Sequence, residues 1–122
     1  PRLDINGSVA EIVQRYDLVF SLHCKQIFPA ALLDGVRCVN VHPGLNPYNR
    51  GWFPQVFSII NGQKAGVTIH EMDDQLDHGP IIVQRECPID SWDTSGSVYV
   101  RLLAIERELV LENFPAIRDR TY

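Results

Sequence analysis

The chain has 122 residues, 45% hydrophobic and 21% charged, with a formal net charge of −4 and a pI near 5.4. That length suits one small domain able to bury about two-thirds of the surface its unfolded chain exposes. The acidic balance argues against a nucleic-acid partner, and no apolar run reaches the length of a membrane span.

The chain opens on Pro1 rather than Met and reads as a fragment, with no secretory signal in view. From Ser8 to Tyr16, Val9, Ile12 and Val13 fall at helical spacing and predict a short amphipathic helix. Asp17 to Leu22 (DLVFSL) predicts a buried strand. Pro29 opens a helical turn through Leu33, closed by Gly35. Cys38 to His42 (CVNVH) predicts a second strand. It is followed by a Pro-, Gly- and Asn-rich loop from Pro43 to Gly51 and a helix from Phe53 to Asn61. Ala65 to Met72 and Ile81 to Cys87 predict an antiparallel pair joined by DDQLDHGP. Asp93 or Thr94 caps a last helix whose apolar stripe is Val98, Leu102, Ile105 and Leu109, with Arg101, Glu108 and Glu112 on a solvated face. Alternating strands and helices in the first half predict an α/β fold: a Rossmann-like, mainly parallel sheet flanked by helices, with DLVFSL and CVNVH buried on both faces. Sites in such sheets form beyond the carboxyl ends of the strands, where the loop after His42 sits.

Side chains alternate along a strand, so Asn40 and His42 share a face, roughly 6.5–7 Å apart. An amide there can steady a developing oxyanion, and an imidazole can carry a proton near neutral pH. The loop DDQLDHGP offers Asp73, Asp74, Asp77 and His78, and a carboxylate near His42 would orient it and favour its charged form. In isolation these are equally a polar strand end and a solvated turn. The histidines and aspartates lack the HExxH spacing and the calcium-loop pattern, which argues against a metal. His23 and His70 read as structural. Cys24, Cys38 and Cys87, odd in number and without CxxC spacing, read as reduced thiols of a cytoplasmic protein, with Cys24 inert.

Two stretches carry more than general chemistry. VNVHPGLNPYNRG (Val39 to Gly51) resembles the N-x-H-P-S-L-L-P-x-x-R-G stretch of folate-dependent formyltransferases, and GVTIHEMDDQLDHGPII (Gly66 to Ile82) resembles their D-x-G segment, with Asp77 as its aspartate. DTSGSVYVRLL (Asp93 to Leu103) is similar to the family's closing helix. The resemblance covers about residues 17 to 112, and two ordered motifs at family-like separation make it specific. Gly44 stands where the family often has Ser and Asn46 where it often has Leu. The string HPGLNPYNRGWFPQVFSIING looks closest to nucleotide-sugar N-formyltransferases, which act on amino sugars such as dTDP-4-amino-4,6-dideoxyglucose for surface polysaccharides, O-antigen among them.

The resemblance implies a formyltransferase fold, here the C-terminal portion (residues 1–122) of a single catalytic domain whose N-terminal strands are missing. It implies 10-formyltetrahydrofolate as formyl donor, no metal, and a small nucleotide sugar as acceptor, with neither nucleic acid nor membrane as partner. A homodimer is expected for the full-length protein. The catalytic Asn, His and Asp fall on Asn40, His42 and Asp77. The donor pocket falls on Gln26, Ile27, Phe28, Asp73 and Asp74, and the acceptor side on Tyr48, Asn49, Arg50 and Trp52. The competing readings are a formyltransferase acting on methionyl-tRNA or glycinamide ribonucleotide, a hydrolase that deformylates the cofactor, a metallohydrolase, and a non-catalytic module binding folate or nucleotide sugar.

Overall fold

The computed structural model describes residues 3–122; Pro1, on which the expectation of a fragment rests, lies outside them. A 3-10 turn at Asn6–Ser8 leads into α1 (Val9–Arg15), followed by β1 (Leu18–Leu22), α2 (Ala30–Gly35), β2 (Arg37–His42), α3 (Pro54–Asn61), β3 (Ala65–Glu71), β4 (Ile81–Cys87) and α4 (Ser95–Asp119). The strands lie in the order β1-β2-β3-β4.

The α/β arrangement, the flanking helices and the antiparallel hairpin are those expected. Within the described residues, however, only β1 and β2 pair in parallel; β2·β3 and β3·β4 are antiparallel. A strand–helix–strand pattern does not distinguish a crossover from a return. Here the chain leaves β2, forms α3 and comes back into the sheet reversed.

Two apolar layers sandwich the sheet. On one face Val39, Val41, Val67 and Ile69 meet Val98, Leu102, Leu109 and Ile117 of α4. On the other, Cys38 joins Ile5, Ile12, Phe28, Leu32 and Val36 around α1 and α2. The α4 stripe expected from sequence is the stripe that packs. Thr94 is its N-cap, accepting from the Ser97 N–H at 3.1 Å, while Asp93 takes the Ser97 hydroxyl and the Arg101 guanidinium. Pro29 is the N-cap of α2 rather than its first residue, its carbonyl accepting from Leu32 and Leu33. CVNVH is buried as expected, but β1 is half-exposed along most of its length and pairs on one side only among the described residues. None of the described helices is long and apolar enough to cross a membrane.

Candidate active site

Strand alternation puts Asn40 and His42 on the face of β2 opposite Val39 and Val41. The antiparallel register then sets His70 across from Asn40 and Thr68 across from His42. Four polar side chains thus share one patch of sheet. The chain then folds the 72–80 loop back over this patch. Gly79 permits that fold, because a Cβ there would sit 1.8 Å from the Glu71 carbonyl oxygen. Asp77 adopts φ +48°, a conformation rare for a non-glycine residue, and Asn46 holds it by donating its amide N–H to the Asp77 carbonyl at 2.7 Å.

Asp77 is the hub. Its Oδ1 accepts from Asn40 Nδ2 at 2.9 Å and its Oδ2 from the Gly51 N–H at 3.0 Å. His42 Nδ1 lies 3.6 Å from Oδ2, a distance that one small motion or one water closes. The other side of the His42 ring is spoken for, since Nε2–H donates to the Asn49 carbonyl at 2.5 Å. A carbonyl can only accept, so the proton belongs on Nε2 and Nδ1 is the nitrogen free to gain one. Thr68 braces this arrangement from below. Its hydroxyl donates to the Gly44 carbonyl and accepts from the Asn46 N–H and from Gln84 Nε2.

His42 is 5% exposed, and burial pushes its pKa below the ordinary 6.5, only partly offset by the Asp77 charge and the Asn49 carbonyl. The neutral imidazole is therefore the resting form. Burial alone would push the Asp77 carboxyl up, but His70, His42 and the Gly51 N–H together bring it below the usual range. An ionised carboxylate thus lies 3.6 Å from a ring nitrogen of each of two histidines, Nδ1 of His42 and Nε2 of His70. These groups floor a cleft of about 390 Å³, with Cys24 to Phe28 on one wall and Met72 to Leu76 on another. Its size and mixed apolar and polar lining suit a fused-ring heterocycle.

Asn40, His42 and Asp77 are brought together as the sequence motifs implied. Gln26, Ile27, Phe28, Asp73 and Asp74 also line the cleft, but several of their side chains are already engaged. Gln26 accepts from the Ile5 N–H and donates to the Leu3 carbonyl, and Asp73 accepts from the Gln75 N–H and from His78. Of the residues expected on the acceptor side, Trp52 is exposed and lines the cleft, and Tyr48 and Arg50 are exposed. Asn49 corrects the expectation: it is 3% exposed, and it supports the site from beneath, its carbonyl holding His42 and its Oδ1 accepting from the Leu45 N–H. Loop turning, invisible in a residue list, put it there.

His70 is the residue that sequence reading set aside. It is 2% exposed, its Nδ1–H donates to the Glu71 carbonyl at 2.7 Å, and its Nε2 accepts from Asn40 Nδ2 at 3.2 Å. It therefore fixes the Asn40 amide. The signal was the register of the two strands, since an antiparallel pairing of VNVH with TIHE sets the two side by side. Cys24 is exposed, and burial pushes the Cys38 thiol up to about 11, as suits an inert core thiol. No group of three or more His, Cys, Asp or Glu among the described residues is placed to hold a metal ion.

Residues 5–114 match the family model described as Formyl transferase. A dTDP-4-amino-4,6-dideoxyglucose formyltransferase of Mycobacterium tuberculosis is 80% identical over 122 residues, which is 100% of this chain and 52% of that protein. The chain thus spans about half the length of that relative. A sugar N-formyltransferase from a Shewanella species superposes with a TM-score of 0.92 at 52% identity, over 95% of this chain and 47% of the other. A formyltransferase of Anoxybacillus kamchatkensis, solved with UDP-4,6-dideoxy-4-formamido-L-AltNAc and tetrahydrofolate, superposes with a TM-score of 0.84 at 31% identity, over 97% and 62%. Sequence motifs, fold and site agree with this match, and the chain belongs to the formyl transferase family.

Proposed function

We propose that the protein containing this chain transfers a formyl group from 10-formyltetrahydrofolate to the amine of a nucleotide-linked amino sugar, with Asn40, His42 and Asp77 carrying the chemistry. The observation that carries this reading is the convergence of those three side chains on one cleft floor, with an acceptor nitrogen on His42 facing an ionised Asp77. The 80% identity to an enzyme named for dTDP-4-amino-4,6-dideoxyglucose supports a sugar amine over methionyl-tRNA or glycinamide ribonucleotide as acceptor. A cytoplasmic, homodimeric enzyme supplying surface polysaccharides such as O-antigen, binding neither nucleic acid nor membrane, fits that reading.

His42 Nδ1 takes the proton released as the sugar amine attacks the formyl carbon, and Asp77 stabilises the imidazolium that results. The new imidazolium and the Asn40 amide face the oxygen on which negative charge develops. Asn40 Nδ2 meets that charge by exchanging its longer contact, the 3.2 Å bond to His70, for the oxyanion. His42 then returns its proton to the departing folate nitrogen as the carbon–nitrogen bond breaks. Neutral His42 at rest differs from the charged form that a neighbouring carboxylate was expected to favour, because burial outweighs the pull of Asp77. Exposed Trp52 bounds the acceptor side, with Tyr48 and Arg50 beside it.

Full-length protein supplied with 10-formyltetrahydrofolate and dTDP-4-amino-4,6-dideoxyglucose should yield the formamido sugar and tetrahydrofolate, and the His42→Gln variant should yield both about 10³-fold more slowly. Formate release without an amine would instead identify a hydrolase. Preferential formylation of methionyl-tRNA or glycinamide ribonucleotide would overturn the acceptor assignment.

A further inference from the structure

Glu106 stands apart from the other carboxylates of α4. Glu108, Glu112 and Asp119 are exposed, whereas Glu106 is 7% exposed. A carboxylate withdrawn from water is costly unless paired. Glu106 Oε2 accepts from the His23 Nε2–H at 2.7 Å, but its Oε1 has no hydrogen-bond partner among the described residues. Burial pushes its pKa up against the pull of His23, so the fold tolerates a half-satisfied acid at a helix position that a leucine would fill. Stability does not explain its presence.

Its partner explains it better. His23 is the residue after β1, and its φ of +52° is rare for a non-glycine residue. Two residues of α4, two turns apart, hold its ring. Glu106 bonds it, and Tyr99 meets it edge-on with centroids 6.4 Å apart and planes at 84°. His23 itself and the residues that follow, Cys24 to Phe28, line the cleft, whereas Glu106 does not. Gln26 fastens that wall on its far side, through the Leu3 carbonyl and the Ile5 N–H. The segment is therefore hung between two clamps, with Lys25 between them and the 85%-exposed Ile27 just beyond the second.

We propose that Glu106 is a positioning residue: acting through His23, it fixes the left-handed turn after β1 and so sets the 24–28 wall against which the heterocyclic formyl donor rests. This rests on the N-formyltransferase reading above. Glu106 touches neither substrate, so its effect falls on donor affinity and leaves the acceptor and the chemical step alone.

The test is steady-state kinetics of the full-length protein with 10-formyltetrahydrofolate as the varied donor. Glu106→Leu removes the bond while filling the buried position, so its Tm should hold. Its donor KM should rise about ten-fold, with kcat and acceptor KM within about two-fold of the parent. Glu106→Gln, which still accepts from His23, should recover most of the donor affinity. His23→Asn tolerates the left-handed backbone but drops the ring, and should reproduce the donor defect even if the leucine variant folds poorly. An unchanged donor KM in both Glu106→Leu and His23→Asn overturns the proposal, as does a parallel change in donor KM, acceptor KM and kcat. A parent enzyme that cannot use this donor removes the functional reading first and this inference with it, an outcome visible before any variant is compared.

Discussion

β3 and β1 are both short apolar strands, yet β3 is buried from Ala65 to His70 while β1 buries only Ser21. The difference is neighbours. β3 lies between two strands, with α4 on one face and the 43–51 loop on the other. β1 has one partner, and Leu22 at its end is 55% exposed. The floor of Asn40, His42 and Asp77 hangs from the first strand and its neighbour β2, and the 24–28 wall from the second. One side of the cleft is over-determined by hydrogen bonds, and the other is held at two points.

If that division is right, damage to the floor should far exceed damage to the wall. His42→Gln or Asp77→Asn in the full-length enzyme should each lower kcat by about 10³-fold, because each removes a partner in proton transfer. Ile27→Ala on the wall should leave kcat within a few-fold and stability within about 0.5 kcal/mol. Equal losses at Ile27 and His42 would dissolve the distinction. Gly44→Ala should come next. Its new Cβ would lie 2.4 Å from both the Asn49 carbonyl oxygen and His42 Nε2, so the loop and the ring must shift together. Urea unfolding should show a loss of about 3 kcal/mol, with kcat reduced as well.

Thr68→Val tests the brace alone. It keeps the shape but strands the Asn46 N–H and the Gly44 carbonyl, at a cost of about 2 kcal/mol in urea unfolding. The smallest expected effect is on pH dependence. His42 is held below 6.5 in the folded chain, so between its folded and unfolded values the unfolded chain binds the extra proton. Its contribution to stability is full above about 6.5 and declines as pH falls through the folded value, and His42→Gln should flatten that part of the curve. Asp77 acts in a lower window: depressed below 3.8 when folded, it loses its contribution only as pH falls beneath that range. The acid limb of kcat/KM should have its midpoint below 6.5, and a kcat/KM that instead falls as pH rises through this range would mean that the charged imidazole is the working form.

Period-two alternation in CVNVH was enough to place Asn40 and His42 together, and helical spacing was enough to find the inner stripe of α4, because each depends on one element alone. Asp77 was legible only through its motif. Nothing local says that a solvated-looking DDQLDHGP turn folds over the sheet, and the reason that it does lies in the close approach of Gly79 to Glu71. His70 and Asn49 escaped notice because their places depend on strand register and on a loop's return path. The outer surface of α4 was read as polar from Arg101, Glu108 and Glu112. A second apolar surface, with Val100, Leu103, Leu111 and Phe114 exposed, runs along the same helix and is obscured in sequence by interleaved charges.

The bond between Asn40 and Asp77 joins residues 37 positions apart, whereas the β3–β4 hairpin that carries Asp77 at its tip is local. Hairpins form in about 1–10 μs, and pairings that close longer loops come later. During refolding, the carboxylate is presented early, and its histidine and asparagine arrive only when β2 docks. Activity of the full-length protein, on the function proposed above, would then be a late reporter of folding, regained after the hairpin's secondary structure is already in place.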